Sequence, residues 1–291
     1  MKMMHPVTNA ETSASGPGMC REVAPDVYCM ETGKGISRSN VYFVRSGPAW
    51  VLIDAALANC GGLIREAAES LFGADTPPAA ILLTHNHPDH TGSVLELVRM
   101  WDCPVYVHPD ELPYVAIEDL PAIEKYANPL DRWMILPILR MMPPRRVEAM
   151  ISSGSIKAVV RAFDPSAAVP GLPEWECIPT PGHTPGHVAF FRTSDRVLIT
   201  GDAIVTVNLN SLWGFLLWSL RLSKQRVSGP PWYSTWNWRA AKESVIVLAR
   251  LKACVLASGH GVPMSGGETA QELAAFAGAF SAPAAGKQPK A

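Results

Sequence analysis

Residues 80–92 read AILLTHNHPDHTG. The run from Ala80 to Thr84 has the short, continuous apolar character of a buried strand, and it opens into a turn that carries His85, His87, Asp89 and His90. Two histidines two residues apart on a strand-end loop can converge on one metal ion. Asp89 and His90, at the start of the next helix, are offset toward a second position. Neutral imidazoles beside a carboxylate suit Zn, Fe(II) or Mn. Taken alone, Asp89 reads as a helix N-cap and any single histidine as an ordinary core or surface residue. Four ligand-type side chains in six residues after a strand are not accounted for in that way.

Three later segments repeat the form of strand, glycine turn and ligand-type side chain. Thr180-Pro181-Gly182-His183-Thr184-Pro185-Gly186-His187 follows an apolar run, and its Pro and Gly residues hold His183 in a rigid turn. Leu198-Ile199-Thr200-Gly201-Asp202 puts a carboxylate at the end of a buried strand, where an unpaired charge is costly and a metal would compensate it. Ser258-Gly259-His260-Gly261 follows Val255 to Ala257.

In this order the four segments resemble the metallo-β-lactamase fold superfamily, over about residues 25 to 270. The resemblance implies an α/β fold, an αββα four-layer sandwich of two packed mixed sheets flanked by helices, with a dinuclear metal site at one edge. Carried onto this chain, it places His85, His87 and His183 on one metal, Asp89, His90 and His260 on the other, and Asp202 between them. His187 matches a supporting position, while His5 and His108 match nothing. The implied cofactors are two divalent ions, Zn(II) first and Fe or Mn as alternatives. The implied chemistry is attack by a hydroxide shared between the metals on a polarised carbonyl, with Asp89 orienting the nucleophile and passing its proton to the leaving group.

Departures from the family's branches narrow the substrate. True β-lactamases of the superfamily carry Cys or Ser where Asp202 stands, so the chain is more similar to glyoxalase II-like and lactonase-like members. The chain after His260 is short for the helical glutathione-binding domain of glyoxalase II. No Tyr closely follows Asp202, as it does in acyl-homoserine lactonases, and flavodiiron enzymes have Glu at the His87 position. The expected activity is hydrolysis of an ester, thioester or lactone bond in a small, partly apolar substrate. A β-lactam hydrolase, a mononuclear iron dioxygenase on the same fold and a non-catalytic metal-binding protein are the alternatives.

The rest of the chain is consistent with a packed enzyme. Only 18% of its 291 residues are charged and 48% are hydrophobic, which argues for a large core, and a net charge of −1 without long Lys/Arg runs argues against nucleic acid as a partner. The six cysteines show no CxxC spacing and read mostly as small buried hydrophobes in a reducing cytoplasm; no signal peptide is evident. Residues 1–19 and 282–291 are read as mobile ends of one domain, 20–281. Strands are expected at Val27–Glu31, Asn40–Arg45, Trp50–Asp54, Ala80–Thr84, Val105–His108, Cys177–Thr180, Val188–Arg192, Val197–Thr200 and Val255–Ala257. Helices are expected at Gly62–Phe72, with Leu63, Ile64, Ala67, Ala68 and Leu71 on its inner face, and at Ser93–Met100, Ala240–Leu251 and Thr269–Phe280.

Two apolar insertions, at about 110–170 and 203–238, interrupt this rhythm. They read either as core padding or a homodimer contact, or as walls of a substrate cleft formed by Trp133, Met134, Leu136, Trp213, Phe215 and Trp218. The uncharged stretch Ala203 to Leu220 is too interrupted by polar residues to insert stably in a membrane. Arg221, Lys224 and Arg226 read as a solvated basic face or as a grip on a substrate carboxylate.

Overall fold

The computed structural model describes residues 19–117 and 119–281. Of the ends read as mobile, 1–19 and 282–291, residues 1–18 and 282–291 lie outside the described residues. Seven strands form the first sheet in chain order: β1 (Cys20–Ala24), β2 (Val27–Thr32), β3 (Ser39–Ser46), β4 (Ala49–Ile53), β5 (Ala80–Leu82), β6 (Val105–Val107) and β7 (Val160–Ala162). The strands β1 to β4 are an antiparallel meander, and β4 to β7 run parallel. The second sheet holds β8 (Trp175–Pro179), β9 (Val188–Arg192), β10 (Val197–Ile199), β11 (Val255–Ala257) and β12 (Met264–Ser265) in the order β12-β11-β10-β9-β8. It too is mixed, because β10 and β11 pair in parallel.

Parallel neighbours need crossover connections, and these supply the helices. Helix α1 (Gly61–Phe72) joins β4 to β5, and α2 (Pro88–Thr91) with α3 (Val94–Trp101) joins β5 to β6. The first insertion is the β6–β7 crossover, with α4 (Leu112–Val115), α5 (Leu120–Tyr126), a π-helical turn at Asp131–Ile135, α6 (Leu136–Met141) and α7 (Pro144–Gly154). The second insertion opens the β10–β11 crossover and contains α8 (Leu212–Ser219), which precedes α9 (Trp238–Arg250). The last helix, α10 (Thr269–Ser281), packs against α9.

Strand alternation builds three apolar layers. Tyr42, Val44, Val51 and Ile53 point inward against Val188, Phe190, Val197 and Ile199 of the facing sheet. Their neighbours Val41, Phe43, Trp50 and Leu52 point outward onto Ile64 of α1 and Leu97 of α3. On the far side Ala189, Phe191 and Leu256 meet Val245 and Leu248 of α9 and Leu273 of α10. This is the four-layer sandwich expected from the sequence.

Several local readings shift. Leu63 is exposed, because Ile64, Ala67 and Ala68 define the buried stripe of α1 and Leu63 lies about 100° round the helix from Ile64. Strand ladders end before Asp54, Thr84, His108, Thr180 and Thr200, where the chain passes into loops, although the Asp54 and Thr200 N–H groups still donate to Leu82 O and Ala257 O of the neighbouring strands. The exposed, polar β1 and the very short β7 and β12 carry too little alternation to be read in advance. Cys29 and Cys103 are buried, but Cys254 is exposed; all six thiols are free. Among the described residues no helix is long and apolar enough to cross a membrane.

Candidate metal centre

The four ligand-bearing loops leave the C-terminal ends of β5, β8, β10 and β11, and the sandwich brings those ends to one edge. Three groups of potential ligand atoms result, each with its atoms within 4.8 Å of one another: His85, His87 and His183; Asp89, His90 and His260; and His85, His90 and Asp202. The first two are the two sets expected from the sequence. The third places Asp202 between them. Its Oδ2 lies 3.4 Å from His183 Nε2 and 3.2 Å from His260 Nε2, and its Oδ1 3.5 Å from His90 Nε2.

Hydrogen bonds on the far side of the rings determine which nitrogens are free to bind a metal. Asp54 accepts from the Thr84 backbone N–H at 2.8 Å, from the Thr84 hydroxyl at 2.8 Å and from His90 Nδ1 at 2.8 Å. Because Thr84 Oγ1 donates to Asp54, it accepts from His85 Nδ1 at 2.9 Å. The backbone carbonyl of Arg38 accepts from His260 Nδ1 at 2.6 Å. Thr235 donates its hydroxyl to Pro231 O and so accepts from His183 Nδ1 at 3.2 Å. In each of these four imidazoles Nδ1 carries a proton, so Nε2 is the nitrogen that can offer a lone pair to a metal. His85 Nε2, His90 Nε2, His183 Nε2 and Asp202 Oδ1 are buried with no hydrogen-bond partner. Buried polar atoms are rarely left this way, and cations placed among these ligand groups would satisfy them. The donor set therefore fits divalent metal ions.

The fields divide the rings into two sets: His85 and His87 are held neutral, whereas the carboxylates favour a proton on His90 and His260, one that a bound cation would displace from Nε2. Burial, followed by the crowding of neighbouring imidazoles, holds His85 well below the ordinary histidine range, and burial with His183 lowers His87 to about 3, so both are neutral. Burial alone would also lower His260, but Asp202 and Asp89 overcome it and push it up to about 10. Burial would raise Asp202, yet His260 and His90 keep it well below the usual carboxylate range. Two ionised carboxylates facing these rings call for positive charge, which either protons or metal ions can supply.

His187 plays the supporting part expected of it. Its Nδ1 meets Thr180 Oγ1 at 2.7 Å, and its Nε2 accepts the Asp202 backbone N–H at 3.1 Å, so it positions the loop that bears Asp202. His108 lies outside the cluster and accepts from the Asp110 backbone N–H. Gly259 is needed for close approach, since a Cβ there would collide with the Asp202 carboxylate.

Sequence reasoning missed the residues behind the ligands. Asp54 carries the signal that marked Asp202, a carboxylate at the end of an apolar strand. Glu111, fully buried, accepts from the backbone N–H groups of Asn86 at 2.7 Å and Gly186 at 2.6 Å, and so ties the two histidine-bearing loops together. Asn40 and Tyr42 of β3 hold the Ser258–Gly261 turn from the facing sheet. The Arg38 side chain lies over the Trp218 ring at 3.5 Å and pairs with Glu31 at 3.1 Å.

Asp54→Asn tests the tautomer argument. An amide cannot accept from Thr84 N, Thr84 Oγ1 and His90 Nδ1 as the carboxylate does, so His90 loses its fixed tautomer. Metal affinity is expected to fall roughly 10- to 100-fold in chelator competition, with the fold retained by circular dichroism. Unchanged affinity would remove Asp54 from this role.

Over residues 35–260 the chain matches the family model described as the metallo-beta-lactamase superfamily. It is 37% identical over 283 residues to the probable metallo-hydrolase YflN of Bacillus subtilis (strain 168), covering 96% of this chain and 99% of that protein. Among solved structures, a metallo-beta-lactamase family protein of Thermus thermophilus superposes with a TM-score of 0.61 at 19% identity, covering 89% of this chain and 79% of that one. The mono-zinc form of the metallo-beta-lactamase FIM-1 of Pseudomonas aeruginosa superposes with a TM-score of 0.56 at 16% identity, covering 91% and 96%. These two likenesses concern the fold.

Proposed function

The chain belongs to the metallo-β-lactamase superfamily, and from that membership we propose that it is a dinuclear-metal hydrolase that cleaves an ester, thioester or lactone bond in a substrate with a large apolar part. One observation carries the substrate class. The metal-ligand cluster opens onto a cavity of about 1410 Å³ whose walls come mainly from the two insertions, and His87, Asp89, Asp202 and His260 line it together with Ile123, Met134, Ile135, Leu139, Leu209 and Phe215. Drug-sized pockets occupy roughly 300–1,000 Å³, so this volume suits a long acyl chain or a bulky apolar body.

The walls differ in detail from the sequence reading. Met134 and Phe215 line the cavity, whereas Trp133 and Trp213 face solvent, Leu136 is buried elsewhere and Trp218 is buried beneath Arg38. Arg221, Lys224 and Arg226 are exposed and outside the lining, and Arg221 pairs with Glu31 at 2.7 Å, so they do not hold a carboxylate inside the cavity.

Divalent ions at such a site supply an acidified water and a Lewis acid for the carbonyl. His85, His87 and His183 would hold one ion and Asp89, His90 and His260 the other, with Asp202 facing both. The Asp89 carboxylate reaches the cavity wall and can take a proton from the nucleophile and return it to the departing oxygen or sulfur. Tyr233 lines the same cavity; burial first, and then the charges of Asp202 and Asp89, keep its phenol protonated and able to donate to a developing oxyanion. The apolar walls exclude bulk water from the reacting bond.

A series of acyl esters of rising chain length tests this reading. Each methylene buried in the cavity contributes about 0.8 kcal/mol, roughly fourfold in kcat/KM, so four added carbons are expected to raise it on the order of 100-fold. A flat series would remove the apolar cavity from the recognition of substrate.

A further inference from the structure

The two insertions that wall the cavity carry large apolar side chains that are open to solvent. Met134 and Leu212 line the cavity and are themselves exposed, Leu212 by 93%. On the same π-helical turn Trp133 is 80% exposed, at the end of α6 Met141 is 88% exposed and on α8 Trp213 is 70% exposed; Leu220 and Leu222 continue the series after α8. Monomeric proteins seldom leave so many large apolar groups open to water on adjacent segments unless the surface has an occupant.

The charge around these groups indicates which occupant. From Arg132 to Val147 the chain has four arginines and no carboxylate, and from Ala203 to Lys242 it has no Asp or Glu at all. Arg140 and Arg221 are paired, with Glu124 and Glu31, but Arg145, Arg146, Lys224 and Arg226 stand exposed on the chain segments that carry the apolar groups. A chain of net charge −1 thus gathers an excess of cations on these apolar segments, where Arg132, Arg140, Arg145, Arg146, Arg221, Lys224 and Arg226 outnumber the neighbouring carboxylates of Asp131, Glu148, Glu124 and Glu31. A second copy would have to set this surface against itself, like charge facing like charge, because a twofold contact pairs a patch with its own image. An anionic phospholipid surface complements both properties. Tryptophans and leucines seat at the headgroup–acyl boundary, and exposed arginines and lysines meet lipid phosphates.

We propose that the face formed by the π-helical turn, α6 and α8 docks on an anionic phospholipid bilayer, with the cavity mouth turned toward the lipid. The docking stands on this surface alone. The corollary that an apolar substrate enters the cavity from the bilayer rests on the hydrolase reading above.

The experiment is co-sedimentation of the full chain with vesicles of phosphatidylglycerol and phosphatidylcholine, beside vesicles of phosphatidylcholine alone. Binding to the anionic vesicles is expected to exceed that to the neutral ones at least tenfold and to weaken as salt rises. Trp133→Ser combined with Trp213→Ser, and separately Arg145→Glu combined with Arg146→Glu, should each lower the partition at least tenfold, with thermal unfolding showing that the variants fold. Equal, weak partition of the unaltered chain to both vesicles overturns the proposal. So does a dimer in sedimentation that the tryptophan double variant converts to monomer, since the face would then belong to a second copy. Vesicle binding without hydrolysis of any ester, thioester or lactone would support the docking and count against the hydrolase reading. Hydrolysis of soluble esters without vesicle binding would do the reverse.

Discussion

Asp202→Ala is expected to lower metal content from two equivalents to one or fewer and to reduce hydrolysis on the order of 10³-fold. The expectation comes from position. Asp202 is almost wholly buried, and its two oxygens face His90, His183 and His260, which belong to different ligand groups. No other side chain of the cluster faces members of both groups at this range with a negative charge of its own and an oxygen, Oδ1, left without a hydrogen-bond partner. Alanine removes that charge and leaves the imidazoles with Asp89 as the only remaining carboxylate among the seven side chains. Asp202→Asn keeps the volume and one acceptor, so it separates loss of charge from loss of packing; its metal content should lie between those of the parent and the alanine variant. Elemental analysis on protein shown to be folded by circular dichroism gives the answer. Two full equivalents in Asp202→Ala would overturn the assignment of Asp202 to the space between the metals.

Glu111→Ala should produce the largest loss of stability. Its carboxylate is the hydrogen-bond acceptor for two backbone N–H groups, at Asn86 and Gly186, and Gly186 packs so close to the Glu111 backbone that no side chain fits between them. Leaving each N–H without a partner costs about 1–3 kcal/mol, and the vacated volume adds to this. A loss of about 3–5 kcal/mol lowers Tm by roughly 10 °C in a chain of this size. Asn86 lies between His85 and His87, and Gly186 lies three residues after His183, so metal affinity should fall as well.

The same carboxyl gives a pH signature. Burial, only partly offset by the two N–H donors, raises it from an ordinary 4.5 to about 7. Between those values the folded chain keeps a proton that the unfolded chain has released, so stability falls as pH rises from about 4.5 to 7 and then levels off. The integrated change is about 3 kcal/mol by linkage. Chelated protein should show it, because a nearby cation would pull the carboxyl down again, and Glu111→Gln should lack that component of the slope. Parallel Tm-versus-pH curves for the two chains would contradict it.

The site was legible from the sequence where ligands are dense and local. His85, His87, Asp89 and His90 fall within six residues, and the turns that hold His183, Asp202 and His260 each follow an apolar strand. The supporting residues were hidden because their meaning is tertiary: Glu111 meets a loop 25 residues before it and another 75 residues after it. Asp54 was readable by the strand-end argument that found Asp202, but no histidine stands beside it in the sequence. The insertions were read correctly as apolar and as cavity walls at Met134 and Phe215, but Trp133, Leu136, Trp213 and Trp218 point elsewhere. In α8, LWGFLLWS, nearly every position is apolar, so no periodic stripe marks the face that turns inward; of the three α8 residues expected there, Phe215 reaches the cavity and Trp213 and Trp218 do not.

The ligand set is divided between the two sheets. The half-chain ending at β7 contributes His85, His87, Asp89 and His90, and the half beginning at β8 contributes His183, Asp202 and His260. During synthesis, ribosomal emergence of the first sheet therefore exposes only a partial chelate, and the set is complete only when His260, close to the end of the last crossover, leaves the exit tunnel. If these seven side chains hold the metals as proposed, full capture would be a late maturation event, and its energy would help fasten the second sheet to the first.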